Sequence, residues 1–207
     1  MKIFSIFSVD QERAARSRSL IAGWLLLVAV TVAVMVMLGG ATRLTHSGLS
    51  MVQWQPLMGV VPPLTEDAWR AVFELYKAYP EFQKINQGMT LVEFKSIFYF
   101  EYAHRMLGRF IGLEFAFPFI WFLLTGRIEH GRRLALFGLF CLGGVQGIIG
   151  WWMVKSGLVN QPDVSHYRLT VHLGVAVLIL GGLLWAALDL IIRRTKAAAP
   201  GLRHGAN

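Results

Sequence analysis

One short stretch concentrates the side chains that could do chemistry in an otherwise oily helix. In "FEYAHRMLGRFIGLEF", Phe100 to Phe115, Glu101, His104, Arg105 and Arg109 stand at the head of an apolar run. Glu101, His104 and Arg105 fall at positions i, i+3 and i+4, so a helix brings all three to one side. Gly108 and Gly112 continue the His104 stripe at intervals of four, which leaves room beside the imidazole for something flat or for a second helix. An ionisable group within a membrane span is costly and implies both a function and a partner. A second histidine, His172, stands near the head of another apolar run, "SHYRLTVHLGVAVLIL".

The elements that must position these groups follow from composition. The chain has 207 residues, 55% hydrophobic and only 15% charged, which excludes a large aqueous domain and indicates an integral membrane protein. Its formal net charge of +8 is carried in short segments flanking apolar runs, so it reads as a topology signal and not as a nucleic-acid surface. The single cysteine, Cys141, excludes an intramolecular disulfide or a CxxC motif. Leu20 to Leu38 is a charge-free run of 19 residues, longer than the ~7–15 of a signal-peptide core, and reads as an uncleaved first span. Further apolar runs place spans at about 97–124, 134–154 and 169–192, with Pro118 as a kink in the second. The expected fold is all-α, a four-helix transmembrane bundle.

Arginines and lysines mark the sides of the membrane. Residues 1–19, the turn from Thr125 to Arg133 and residues 193–207 are basic, which puts both termini in the cytoplasm. Residues 41–96 then form a long outer loop whose tryptophans, prolines and amphipathic stretch from Trp69 to Tyr79 predict a structured cap. The tail from Arg193 onward reads as disordered.

In this topology the second and fourth spans run in the same direction. His104 lies seven residues into its span and His172 three, a depth difference of roughly 6 Å at ~1.5 Å per residue, so the two can face one another. Two imidazoles from roughly parallel helices suit the axial positions of a haem. Arg105, Arg109, Arg43 and Arg168 would lie near the outer surface, either pairing with haem propionates or snorkelling to lipid headgroups. The alternative is a satisfied pair of buried histidines. Zinc would want more ligands: His166 falls on another face, and His46, His130 and His204 belong to solvated segments. Glu114, about 80° around the helix from His104, reads as a proton-path residue or an interhelical hydrogen bond. Gln146 bridges helices or faces the site, and Gly143, Gly147 and Gly150 could support a helix interface.

Four stretches in order, "LGGATRLTHSGLSMVQWQPLMGVVPP", "EFKSIFYFEYAHRMLGR", "GGVQGIIGWWMVKSGL" and "VSHYRLTVHLG", resemble the haem A synthase family, most closely its mitochondrial and proteobacterial branch. The first outer loop lacks the cysteine pair of the other branch. The resemblance implies oxidation of a ring methyl of haem O to the formyl of haem A for cytochrome oxidase. It implies His104 and His172 as haem-iron ligands and Glu101 as the catalytic carboxylate, able to accept a proton or steady positive charge developing at the methyl carbon. Family members have eight spans, and their second half holds a haem b on another histidine pair to which no residue here corresponds. The expectations are therefore a truncated, split or half-size form, working as a homodimer or with a companion C-terminal half. Its partners would be membrane lipid, a haem O supplier and cytochrome oxidase assembly factors. With no mitochondrial address evident, its place would be a bacterial inner membrane, haem site toward the periplasm. A bis-histidine cytochrome b that only passes electrons and a non-catalytic haem-handling assembly protein are the other classes that fit.

Overall fold

A computed structural model describes residues 2–53, 58–158 and 162–198. The described residues form six α-helices: α1 (Lys2–Leu44), α2 (Glu66–Lys77), α3 (Pro80–Lys84), α4 (Leu91–Leu124), α5 (His130–Gly157) and α6 (His166–Ala198), with a 3-10 turn at Met58–Val60. Among the described residues there is no strand, and α1, α4, α5 and α6 are long and apolar enough to cross a membrane. The protein is an all-α, multi-pass membrane bundle.

The long helices overrun the apolar runs that announce them, because their ends are set by caps. At the start of α4, Thr90 accepts the Glu93 backbone N–H and its own N–H donates to the Glu93 carboxylate at 2.7 Å, a reciprocal pair that starts the helix six residues before Ile97. The helix continues through Pro118 and stops at Gly126, whose φ of +65° lets Arg127 N–H reach Phe122 O at 2.9 Å and Gly126 N–H reach Leu123 O at 3.2 Å. The end of α1 repeats this motif with His46, φ +50°, where the left-handed backbone favours glycine; Ser47 N–H bonds Thr42 O at 3.0 Å. The sequence expectation of a disordered tail is corrected over 193–198, which continue α6; residues 199–207, with Arg203 and His204, lie outside the described residues.

The four long helices form a square. α1 packs against α4 and α6, α5 packs against the same two, and α4 and α6 scarcely touch across the diagonal. An apolar core of Leu25, Val28 and Val32 from α1, Phe115, Phe119 and Phe122 from α4, Leu136 from α5 and Leu183 and Leu190 from α6 fills the half of the bundle near the α4–α5 turn. Trp24 rests its ring 4.9 Å from Phe115 and donates its indole N–H to Glu114 O at 2.9 Å.

At the other end sits the cap. Thr65 caps α2 by accepting Ala68 N–H, and the helix buries Trp69, Phe73 and Tyr76, spaced four and three apart, against Val52 and against Phe94 and Phe98 of the first turns of α4. Inside this cluster the buried Glu81 carboxyl accepts the Tyr76 hydroxyl at 3.0 Å, and Asn86 donates its amide to the same hydroxyl at 2.8 Å. With no cation against it, burial pushes the Glu81 carboxyl up to about 8 and raises the Tyr76 phenol as well.

Between cap and core lies a layer of different character. Among the described residues, no apolar side chain of α1 beyond Val32, of α4 between Phe98 and Phe115, of α5 beyond Leu136 or of α6 before Ile179 is buried. At ~1.5 Å per residue that layer is roughly 18–31 Å deep, depending on the helix. A bundle that closed on itself there would be packed like the rest of a protein interior.

Candidate functional site

His104 on α4 and His172 on α6 both lie in this layer, each braced by a glycine of a flanking helix. A Cβ built on Gly39 of α1 would stand 3.0 Å from His104 Cε1, and one built on Gly150 of α5 would stand 3.0 Å from His172 Cε1. Either glycine thus lets a helix backbone lie against an imidazole where any larger residue would crowd it. The two diagonal helices carry the histidines and the other two supply the space.

The hydrogen bonding of the layer is incomplete in a consistent way. The described residues hold four buried side-chain polar atoms without a partner: His104 Nδ1, His172 Nδ1, Gln146 Oε1 and Glu114 Oε2. All four belong to the membrane helices α4, α5 and α6. Buried polar groups are almost always satisfied, so the orphans on the two histidines and on Gln146, whose amide bonds the His172 backbone, fit a ligand at the histidine pair, whereas Glu114 lies ten residues along α4 beside the core. The described residues contain no group of three or more His, Cys, Asp or Glu side chains able to hold a metal ion.

Glu101, one helical turn from His104, is arranged in the opposite manner. Its carboxylate is 3% exposed, and both oxygens are occupied. Oε2 accepts the Ser50 hydroxyl at 2.8 Å and the Met51 backbone N–H at 2.7 Å, while Oε1 accepts the Arg105 guanidinium at 2.5 Å. Arg105 also donates to Met51 O at 2.8 Å and Gln53 O at 3.2 Å. Glu101 and Arg105 therefore strap the segment after α1 onto α4, and the intrahelical pair that their i, i+4 spacing allows is formed.

The other arginines are distributed around the same end. Arg43 pairs with Asp163 at 3.3 Å, joining the end of α1 to the segment before α6. Arg168 donates to Trp152 O at 2.8 Å and lies 4.3 Å over the Trp152 ring, and among the described residues it meets no carboxylate. Arg109 reaches Met106 Sδ at 3.8 Å on its own helix.

Of the two uses that helical phase left open for the His104 stripe, a flat group or a second helix, Gly108 takes the second: its Cβ position is 3.0 Å from Met35 Cε, so it serves the close approach of α1 and α4, while a Cβ on Gly112 would meet nothing within 4 Å. Gly150, grouped by sequence with Gly143 and Gly147, is the one that meets a histidine; the other two have nothing within 4 Å. Gln146 does bridge helices, donating Nε2 to His172 O at 2.9 Å. Glu114 makes an interhelical hydrogen bond, accepting Thr31 Oγ1 at 3.2 Å. His46, His130 and His166 are exposed. Sequence phase did not reveal Gly39, Ser50 or Met51; the motif "LGGATRLTHSGLSM" that contains them was the available signal.

Residues 22–206 match the model of the COX15-CtaA family, described as cytochrome oxidase assembly protein. The chain belongs to that family. It is 55% identical over 183 residues to the heme A synthase of Paramagnetospirillum magneticum, covering 87% of this chain and 52% of that relative. It is 48% identical over 195 residues to the heme A synthase of Parvibaculum lavamentivorans, covering 94% of this chain and 57% of the relative. With the heme A synthase of Nitrosospira multiformis the identity is 52% over 195 residues, 94% of this chain and 54% of the relative. The chain thus spans about half the length of the curated relatives it matches. No solved structure matches.

Proposed function

We propose that this chain forms the haem-oxidising bundle of a haem A synthase, in which His104 and His172 ligate the iron of the substrate haem and a ring methyl of haem O becomes the formyl of haem A. The observation that carries the reading is the layer between cap and core: it lacks buried apolar side chains, it contains two glycine-braced histidines on diagonal helices, and both of their Nδ1 atoms lack protein partners. The similarity of most of this chain to relatives named heme A synthase supports it.

Each residue then has a task. Iron held between the imidazoles supplies the redox chemistry at the macrocycle. Arg168, free of carboxylates among the described residues, offers its charge to a propionate, with Arg43, Arg105 and Arg109 adding positive potential at the same end. The strap fastened by Glu101 and Arg105 keeps water from the site. Glu101 Oε2 is held by two uncharged donors, so it is the oxygen that would be released to accept a proton as the haem's redox chemistry withdraws electrons from the methyl carbon, or to steady positive charge developing there. With the arginine-bearing turn and both termini on the cytoplasmic side of a bacterial inner membrane, the haem would lie toward the periplasm. Haem O would arrive from its supplier, and the product would pass to cytochrome oxidase assembly factors, with a second copy or a companion C-terminal half completing the arrangement.

One observation favours a second reading, a bis-histidine cytochrome that only passes electrons: Glu101 already has a protein donor on each oxygen, as a purely structural carboxylate would. Expression in a host that makes haem O, followed by chromatography of extracted haems, separates the two. Haem A, or its hydroxylated precursor, in the wild type and not in Glu101→Gln supports the enzyme. Unaltered haem O or haem B in both supports the electron carrier.

A further inference from the structure

Gln146 stands one helical turn before Gly150 on α5, so the same face that braces the His172 ring also carries this amide. Its Nε2 is committed to the His172 backbone carbonyl at 2.9 Å. That bond fixes the amide: the two polar atoms of a carboxamide point roughly 120° apart, so Oε1 is turned away from the α6 backbone. It remains buried and receives no hydrogen bond. A buried acceptor without a donor is a cost that folding does not select unless something else supplies the donor.

Few donors could reach it. Water is a poor occupant in an apolar setting, since a buried water needs about 2–4 polar partners. A porphyrin edge bearing methyls, vinyls and propionates offers no neutral donor either, but an alcohol on that edge does. Haem O carries one, on the hydroxyalkyl substituent that stands where haem B has a vinyl.

We propose that Gln146 Oε1 accepts a hydrogen bond from an alcohol on the edge of the bound haem, and that Gln146 is the residue by which the site distinguishes a hydroxyalkyl haem from haem B. This rests on the haem reading above. The bond to His172 makes the discrimination sharp, because the same amide is anchored beside the proposed iron ligand and cannot follow a ligand that lacks the hydroxyl.

The test is a spectral titration of the purified full chain with haem O and with haem B, in the wild type and in Gln146→Met. The wild type should prefer haem O. Gln146→Met should lose about tenfold in haem O affinity and keep its haem B affinity. Gln146→Glu, whose protonated carboxyl retains both a donor for His172 O and an acceptor oxygen, should keep most of the preference and guards against a variant that merely folds badly. Unchanged haem O affinity in Gln146→Met would overturn the discrimination, even if hydroxymethyl haem dissociated faster from that variant than from the wild type. Equal losses for both haems, or no loss of any kind, would reduce Gln146 to a helix brace and overturn the proposal while leaving the haem reading intact. A wild type that binds neither haem would overturn both.

Discussion

The Glu101 cluster and the histidine layer lie one turn apart on α4, yet their polar groups are satisfied in opposite ways. Glu101 has donors on both oxygens, from Arg105, Ser50 and Met51, and each donor belongs to this chain. His104, His172 and Gln146 each leave one buried atom without a partner. Groups that the protein satisfies by itself hold parts of the fold together, whereas groups left open at the same depth have, on the reading proposed above, a haem as their partner. A third case sits in the cap, where Glu81 is as buried as Glu101 but has a phenol where Glu101 has a guanidinium. Glu101 has a charged partner, whereas burial beside a phenol pushes the Glu81 carboxyl up to about 8 and makes it a pH-sensitive group.

The contrast can be broken or sharpened by substitution, beginning with the largest effect. His104→Ala and His172→Ala should each weaken haem binding by more than the ~10–100-fold that outer partners of a metal ligand carry, with helicity by circular dichroism unchanged. If either variant binds haem as the wild type does, the layer is not the site. Glu101→Ala should act on the other side of the comparison. It removes the carboxylate partner of Arg105 and orphans Met51 N–H, and the cap should lose about 3 kcal/mol, read as faster proteolysis within residues 45–60. Haem loss without faster cleavage would instead put Glu101 with the open groups.

Glu81 gives a smaller, pH-dependent effect. The folded cap keeps its proton up to about 8, whereas the unfolded carboxyl releases it near 4.5. The native state therefore binds more protons across that window, and cap stability should fall as pH rises through it and level off above. Cap proteolysis followed from pH 5 to 9 should show this slope in the wild type and lose it in Glu81→Gln. The smallest effect belongs to the glycine braces. Gly39→Ala and Gly150→Ala each bring a methyl to 3.0 Å from an imidazole carbon, so haem affinity should drop by no more than about 10-fold, and Gly112→Ala, in open space, should change nothing.

How much of this was readable beforehand depends on whether a feature lies along one helix or between two. The four spans, the amphipathic stretch that became α2 and the histidine pair follow from periodicity and residue type within single segments. The roles of Gly39, Gly108 and Gly150 depend on the register between neighbouring helices, which no single helix encodes, so the stripe through Gly108 could not say that Met35 of α1 would be what meets it. The Glu101–Arg105 pair was legible from its i, i+4 spacing, but the loop donors Ser50 and Met51 sit about fifty residues away in sequence. Arg43 could be placed at the right end of the bundle without any sign that Asp163 would meet it there.

The most direct test of a bis-histidine haem between α4 and α6 is low-temperature electron paramagnetic resonance of the purified ferric protein, wild type beside His172→Ala. Two imidazole ligands predict a low-spin signal in the wild type that turns high-spin, or disappears with the haem, in the variant. A low-spin signal that survives His172→Ala unchanged would contradict the assignment.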